Sequence, residues 1–202
     1  MKLAIISDLH ANAEALEAIL GSLPSVDKII CAGDIVDRFH LNNDVFELLE
    51  EYGIDFVQGN HDDGIFHNYM CQRGVLTPRN LSRVLSAPLE REYTFSGQSF
   101  LMVHGSPWNR LKEYVYPESP QISRLAKLGR DVIILGHTHV PMVARIDGVT
   151  VINPGSVGQP PAEDPRPAYA WMETDTGEVR IEKIDFSMEE KSLRIVRPET
   201  GR

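Results

Sequence analysis

Five short apolar runs in this chain each break into a polar or glycine-bearing turn, and every turn carries a residue able to bind a metal: LAIISDLH, KIICAGD, DFVQGNHD, SFLMVHG and DVIILGHTH. Runs of this length, bounded by such turns, read as buried strands. The turns then fall at strand ends, where side chains from successive strands converge on one rim of a sheet. The residues so placed are Asp8 and His10, Asp34, Asn60, His104, and His137 with His139. Any fold this chain adopts must bring those five ends together.

The surrounding sequence predicts the elements that do so. Lys2 to Ile6 reads as a strand, followed by a helix from Ala13 to Leu20 with Ala13, Leu16, Ile19 and Leu20 on one face and Gly21 as its stop. Lys28 to Cys31 is a second strand, Asp44 to Tyr52 a helix ended by Gly53, and Ile54 to Val57 a third strand. This alternation predicts an α/β fold with a largely parallel sheet and crossover helices. Thr77-Pro78 is an N-cap with a first-turn proline, opening a helix through about Ser86. Strands from Arg91 to Phe95 and Ser99 to Val103 follow, joined at Ser96-Gly97.

A helix near Gln121 to Leu128 precedes a strand from Asp131 to Leu135, and Asp147-Gly148 turns a hairpin between Met142–Ile146 and Val149–Ile152. The stretch NPGSVGQPPAEDPRP reads as an ordered turn and an exposed loop, too short to separate domains. A last hairpin pairs Ala168–Glu173 with Glu178–Phe186, and the tail from Met188 to Arg202 frays or docks as a helix. The expectation is one domain over residues 1–202.

Charge narrows the partners. Twenty-nine acidic against 20 basic residues leave a formal net charge of −9, which disfavours duplex binding. Nucleic acid is not expected as a partner, although a nucleotide is compatible with these numbers. Leu3 to Ile6 is too short for a signal sequence and no stretch suits a membrane span, so a cytoplasmic location with no membrane partner is expected. Cys31 and Cys71 lack CxxC spacing and read as reduced structural thiols.

The ligand set is carboxylate, amide and imidazole, which suits two divalent ions of the manganese, iron, nickel, cobalt or zinc type, with manganese the first expectation. Asp34 is the natural bridge in such a dinuclear centre. Two cations about 3.5–4 Å apart can clamp a phosphoryl group and generate a hydroxide for in-line attack, which is hydrolysis of a phosphate ester. Gly33, Gly59, Gly105 and Gly136 each flank a ligand, where a missing Cβ is expected to permit the sharp turn that aims it.

The ordered set DLHAN, GDIVDR, GNHD, VHG, GHTH and NPGS, running from Met1 to about Asp175, resembles the calcineurin-like metallophosphoesterase superfamily, particularly its small bacterial and archaeal phosphodiesterase-like branch. The resemblance implies a four-layer α/β/β/α sandwich of two mixed sheets flanked by helices. It also implies that Asp8, His10, Asp34 and His139 hold one metal and Asp34, Asn60, His104 and His137 the other. His61 matches the family's catalytic histidine, which protonates the leaving group or steadies charge on the phosphoryl oxygens, and Asp37 matches a carboxylate that orients it.

Departures from the family pattern also inform. Gln58 precedes Gly59 and Phe39 follows Arg38, where the large serine/threonine phosphatases carry arginine and glycine, so protein-phosphatase activity is not implied. Several of the smallest relatives lack a histidine at the position of His61, and its presence here favours a working catalyst. The rival from another class is a non-catalytic scaffold, as in the related subunit of the retromer coat.

Arg38 and Arg110 follow metal motifs and are candidates to contact a phosphate, with plain surface charge as the alternative. A phosphomonoesterase or nucleotidase would need such groups for a monoester's second charge. His40 and His67 are expected to be exposed or structural. For Trp108, Tyr114 and Tyr116 core packing is the first expectation, a wall for a base or aromatic leaving group the second. Asn153, Gly155 and Ser156 read as a backbone-shaping turn. The sequence thus points to hydrolysis of a small phosphodiester by a metal-bound hydroxide with His61 assisting, in a chain for which a homo-oligomer is the base-rate expectation.

Overall fold

In the first strand, β1 (Lys2–Ile6), every side chain after Lys2 is fully buried, so both faces of the strand are covered. Leu3 and Ile5 point one way and pack with Ile30, Phe100, Met102, Val132 and Ile134; Ala4 and Ile6 point the other way and pack with Leu16, Ile19, Val45, Phe46 and Leu49. The computed structural model describes residues 1–37, 40–64 and 75–186. The predicted roles of Arg38, Phe39, His67, Cys71 and the tail from Met188 lie outside the described residues.

Two further parallel strands, β2 (Lys28–Cys31) and β3 (Asp55–Phe56), follow β1, with α1 (Ala13–Ser22) and α2 (Asn43–Glu51) as crossovers. The chain next forms a short α3 (Asn60–Asp63), then α4 (Pro78–Leu85) and an antiparallel pair, β4 (Glu90–Phe95) and β5 (Gln98–Val103). After α5 (Ile122–Leu125) and a single 3-10 turn (Ala126–Leu128) come β6 (Val132–Ile134), the β7 (Met142–Ile146) and β8 (Val149–Asn153) hairpin, and the β9 (Ala168–Glu173) and β10 (Glu178–Lys183) hairpin.

These strands form two five-stranded sheets, in the orders β10-β9-β1-β2-β3 and β4-β5-β6-β8-β7. Both are mixed. In the first, β9 returns antiparallel to β1, with Leu3 opposite Met172. In the second, β5, β6 and β8 run parallel between antiparallel edges. The alternation at the start of the chain therefore predicts only the β1-β2-β3 half of its sheet correctly. A segment some 165 residues downstream supplies the rest, and local periodicity carries no trace of that pairing.

Three apolar layers separate four structural ones, as the resemblance implied. One lies under α1, α2 and α4, one between the sheets, and a third places Leu101, Val103, Ile133 and Val151 against Val115, Ile122 and Leu125. The fourth layer is thin. The helix predicted over Gln121–Leu128 is one α turn that tightens to 3-10 and stops at Gly129, whose φ is +65°. The predicted cap forms, Thr77 accepting from the Asn80 N–H at 3.2 Å ahead of Pro78, and the structure adds a second, Asn12 accepting from the Ala15 N–H at 3.0 Å. Cys31 is a buried free thiol whose pKa burial pushes well above the usual value. No helix among the described residues is long and apolar enough to cross a membrane.

Phe100 has no exposed surface and fills the layer between the sheets. Phe100→Ala should lower unfolding free energy by about 3–5 kcal/mol, measured as a shift in urea midpoint. Leu89→Ala, at a 40% exposed position, should stay within about 0.5 kcal/mol of the parent.

Candidate metal centre

The loops after β1, β2, β5 and β6 continue the pairing of the strands that feed them. The Asp8 N–H donates to the Gly33 carbonyl at 2.9 Å, His10 N–H to Asp34 at 3.0 Å, and Gly136 N–H to His104 at 2.8 Å. Within these loops Asp8, His10, Asp34, His137 and His139 all lie in the left-handed region, with φ of 55°, 46°, 51°, 68° and 60°. Non-glycine residues held there cost on the order of 1–2 kcal/mol each. The sharp turns are thus made by the ligand candidates themselves.

That finding corrects the reason assigned to the flanking glycines. Of the four, only Gly33 has a positive φ, +100°. Gly59 and Gly136 are needed for space: a Cβ on Gly59 would lie 2.1 Å from Asp34 Oδ1, and one on Gly136 2.2 Å from Ser7 Oγ and 3.1 Å from Asp8 Oδ2. At Gly105 a Cβ would come within 2.7 Å of the Asn109 carbonyl.

All seven sequence-predicted ligands are brought to one rim. Asp8, His10 and His139 offer donor atoms within 4.8 Å of one another, as do Asp34, His104 and His137. Asp34 Oδ2 stands between the groups, 3.8 Å from His10 Nε2 and 3.3 Å from His104 Nε2. Asn60 Oδ1 is 3.0 Å from His104 Nε2, which adds it to the second group. His10 and His139 turn their Nε2 atoms towards each other at 3.1 Å.

Two ring orientations suit metal binding. His104 Nδ1 donates to the Ala32 carbonyl at 2.8 Å and His139 Nδ1 to the Gln159 carbonyl at 2.7 Å. A carbonyl only accepts, so each Nδ1 carries a proton and Nε2 is the inward atom that could coordinate a cation. His137 Nε2 is buried with no hydrogen-bond partner among the described residues, and buried Asp8 Oδ1 faces only imidazole nitrogen, with His139 Nε2 at 3.3 Å. A buried polar atom left without a partner marks a missing counterpart. The donor set and that orphaned nitrogen fit divalent cations.

Electrostatics agree. Burial alone would raise the Asp34 carboxyl, but the charge and hydrogen bond of His104, then His10 and His61, hold it well below the usual range. Burial would also raise Asp8, and the His139 hydrogen bond with the His104 and His139 charges outweighs it. Burial opposes charge on His104, yet Asp34 and Asp8 lift its pKa to about 10. Burial and the charge of His104 push His137 down to about 4. Two buried carboxylates here demand positive charge.

His61 and Asp37 lie beside this cluster. His61 donates its backbone N–H to Asp34 Oδ1 at 2.9 Å, and its Nδ1 is 3.5 Å from Asp37 Oδ2. That same Asp37 oxygen is 3.3 Å from His10 Nδ1 and accepts from Gln159 Nε2 at 3.0 Å. His40 is 84% exposed at the edge of this group. Arg110 pairs with Glu90 at 2.6 Å and does not line the cleft formed by Asp34, Asn60, His61, Tyr114, His137, Thr138 and His139, which is about 260 Å3 in volume. Tyr114, Tyr116 and Trp108 are exposed rather than core residues, a departure from the packing expected of them.

Sequence reasoning missed three supports. The buried Asp62 accepts from the N–H groups of Ile35, Val36 and Gly59 at 3.2, 3.0 and 2.9 Å, locking the GDIV loop to the GNHD loop. Burial and then the Asp34 charge raise its pKa to about 7, against the pull of those three donors. Gln159 joins His139 to Asp37 through its backbone carbonyl and its side-chain amide. The NPGS turn does more than bend: Asn153 Nδ2 donates to the Gly136 carbonyl at 2.7 Å, and Ser156 Oγ donates to the Asp8 carbonyl at 2.9 Å.

Residues 1–177 match the calcineurin-like phosphoesterase superfamily domain. The chain belongs to that superfamily. Calcineurin-like phosphoesterases are metal-dependent hydrolases of phosphate esters, and the clustered donors of this chain supply the groups that such chemistry requires. It is 32% identical over 174 residues to a probable metallophosphoesterase of Methanothermobacter thermautotrophicus, covering 82% of each chain. It is 24% identical over 181 residues to phosphodiesterase YfcE of Escherichia coli, covering 87% of this chain and 89% of that one. The crystal structure of a metallophosphoesterase from Sphaerobacter thermophilus superposes with a TM-score of 0.79 at 30% identity, covering 94% of this calcineurin-like chain and 91% of its relative.

Two measurements check this centre. Asp62→Ala leaves three buried N–H groups without an acceptor, and should cost about 3 kcal/mol or more, seen as a fall in thermal midpoint with or without added metal. Mn2+ at a hundred times its Kd should raise the stability of metal-stripped protein by about 2.7 kcal/mol, and Gly59→Ala, which drives a methyl into Asp34, should abolish that gain in differential scanning fluorimetry.

Proposed function

We propose that this chain is a dinuclear metal-dependent phosphodiesterase, with Asp8, His10, Asp34 and His139 holding one cation and Asp34, Asn60, His104 and His137 the other. The observation that carries this reading is the place of Asp34, one buried carboxylate within reach of donors from both groups. When bound, two divalent cations supply positive charge to the phosphoryl oxygens and lower the pKa of water. Manganese is the metal proposed, and iron, nickel, cobalt and zinc also suit a donor set made only of oxygen and imidazole nitrogen.

The remaining work falls to the chain. His61, half-buried at the cleft wall, protonates the leaving oxygen or donates to a phosphoryl oxygen. Asp37 holds that ring in orientation and is itself held by Gln159. Preference for a diester is supported by the lining of the cleft, where no lysine or arginine stands among the described residues. A monoester brings a second negative charge that such a lining leaves uncompensated, and Arg110 is tied to Glu90.

The test is hydrolysis of bis(4-nitrophenyl) phosphate and 4-nitrophenyl phosphate by metal-stripped protein reloaded with Mn2+. The diester should be preferred, and His61→Ala should lower kcat by about 10²–10⁴-fold with a small change in KM. Faster turnover of the monoester would make the protein a phosphatase. Absence of turnover with Mn2+, Ni2+, Co2+, Fe2+ and Zn2+ would overturn the enzymatic reading in favour of a scaffold.

A further inference from the structure

We propose that Tyr114 is a stacking platform at the mouth of the metal cleft, selecting phosphate esters that carry a planar aromatic group such as a nucleotide's base. The inference rests on the phosphoesterase reading above and names the substrate class for that same site. Its starting point is a ring that is 52% exposed yet lies over a buried ligand candidate: the Tyr114 and His137 centroids are 3.8 Å apart, with 21° between their planes. Tyr114 also lines the cleft directly. The His137 ring takes one face of Tyr114, and the exposed remainder of the tyrosine ring borders the cleft.

The neighbouring aromatics separate by geometry. Trp108 has the guanidinium of Arg124 over its ring at 3.9 Å, so that face is taken. Tyr116 lies nearly parallel to Tyr114, 7° between planes and 6.2 Å between centroids, and does not line the cleft. Between the two tyrosines Val115 is buried in the third apolar layer, which sets the alternation that turns both rings outward.

The loop that carries Tyr114 is also built. Gly105 and Ser106 donate their N–H groups to the carbonyls of Arg110 and Asn109 at 2.7 and 3.0 Å, Ser106 Oγ donates to the Glu113 carboxylate, and Gln121 Nε2 reaches the other Glu113 oxygen at 3.4 Å. A ring held in place before binding loses little freedom on stacking. Base–aromatic stacking tolerates any base, since every base offers a π-face. With no lysine or arginine lining this cleft among the described residues, Tyr114 is the one ring besides the histidines that this lining offers an ester substituent.

The test compares AMP, ribose 5-phosphate and phenyl phosphate by isothermal titration to the Mn2+-loaded protein, a readout that needs no turnover. AMP should bind about tenfold tighter than ribose 5-phosphate, and Tyr114→Ala should collapse that ratio towards one while Tyr114→Phe retains it. Phenyl phosphate gaining as AMP does would support a platform for any aryl ester, and a gain confined to AMP would support one for nucleotides. Equal binding of AMP and ribose 5-phosphate by the parent protein overturns the proposal, and so does a parallel loss of both in Tyr114→Ala, which would mark Tyr114 as a shield for His137. If the ratio holds but no phosphate ester is hydrolysed, the platform stands and the enzymatic reading fails. If diesters are hydrolysed without any base-dependent binding, the enzymatic reading stands and the platform fails.

Discussion

Two carboxylates, Asp8 and Asp34, are buried at the ends of adjacent parallel strands, and nothing else in the molecule constrains it as much. Ionised groups taken out of water are tolerated only beside opposite charge and hydrogen-bond donors. Here the chain gathers imidazoles from three other strand ends around them and directs backbone N–H groups of His61 and His137 onto their oxygens. Left-handed backbone at five ligand candidates is the conformational cost of that gathering. The two sheets act as a frame stiff enough to hold it, since three separate apolar layers would have to loosen before a strand end could drift.

Much of this was legible in sequence because it depends on local order. A metal-binding residue immediately after an apolar run is placed by the strand before it, so Asp8, Asp34 and His104 needed only the position of β1, β2 and β5. The helix cap at Thr77 was readable for the same reason. Arg110 also follows a strand end, yet its partner, Glu90, opens the neighbouring antiparallel strand, and proximity in sequence to His104 carried no information about that pair.

What escaped was set across the fold. Asp62 bonds to residues 26 and 27 positions earlier, and Gln159 to Asp37 at a separation of 122. Neither has a periodic or compositional signature. The glycines were recognised as necessary but for the wrong cause, because the space a Cβ would fill belongs to another loop, Asp34 against Gly59 and Ser7 against Gly136. The aromatic segment failed similarly: Tyr114 and Tyr116 alternate with Val115, and only the position of the third apolar layer decides which of them faces water.

The return of the chain to its own beginning has a consequence in time. β9 completes the first sheet beside β1, and Ser156 hydrogen-bonds the Asp8 carbonyl across 148 positions. During synthesis β1 and its aspartate leave the ribosome well before the loop that braces them and the strand that flanks them. Contacts so distant in sequence form slowly. The candidate metal rim is therefore a late product of this domain's folding, completed only once Ser156 and β9 have emerged, and a cation captured earlier would meet only fragments of its eventual site.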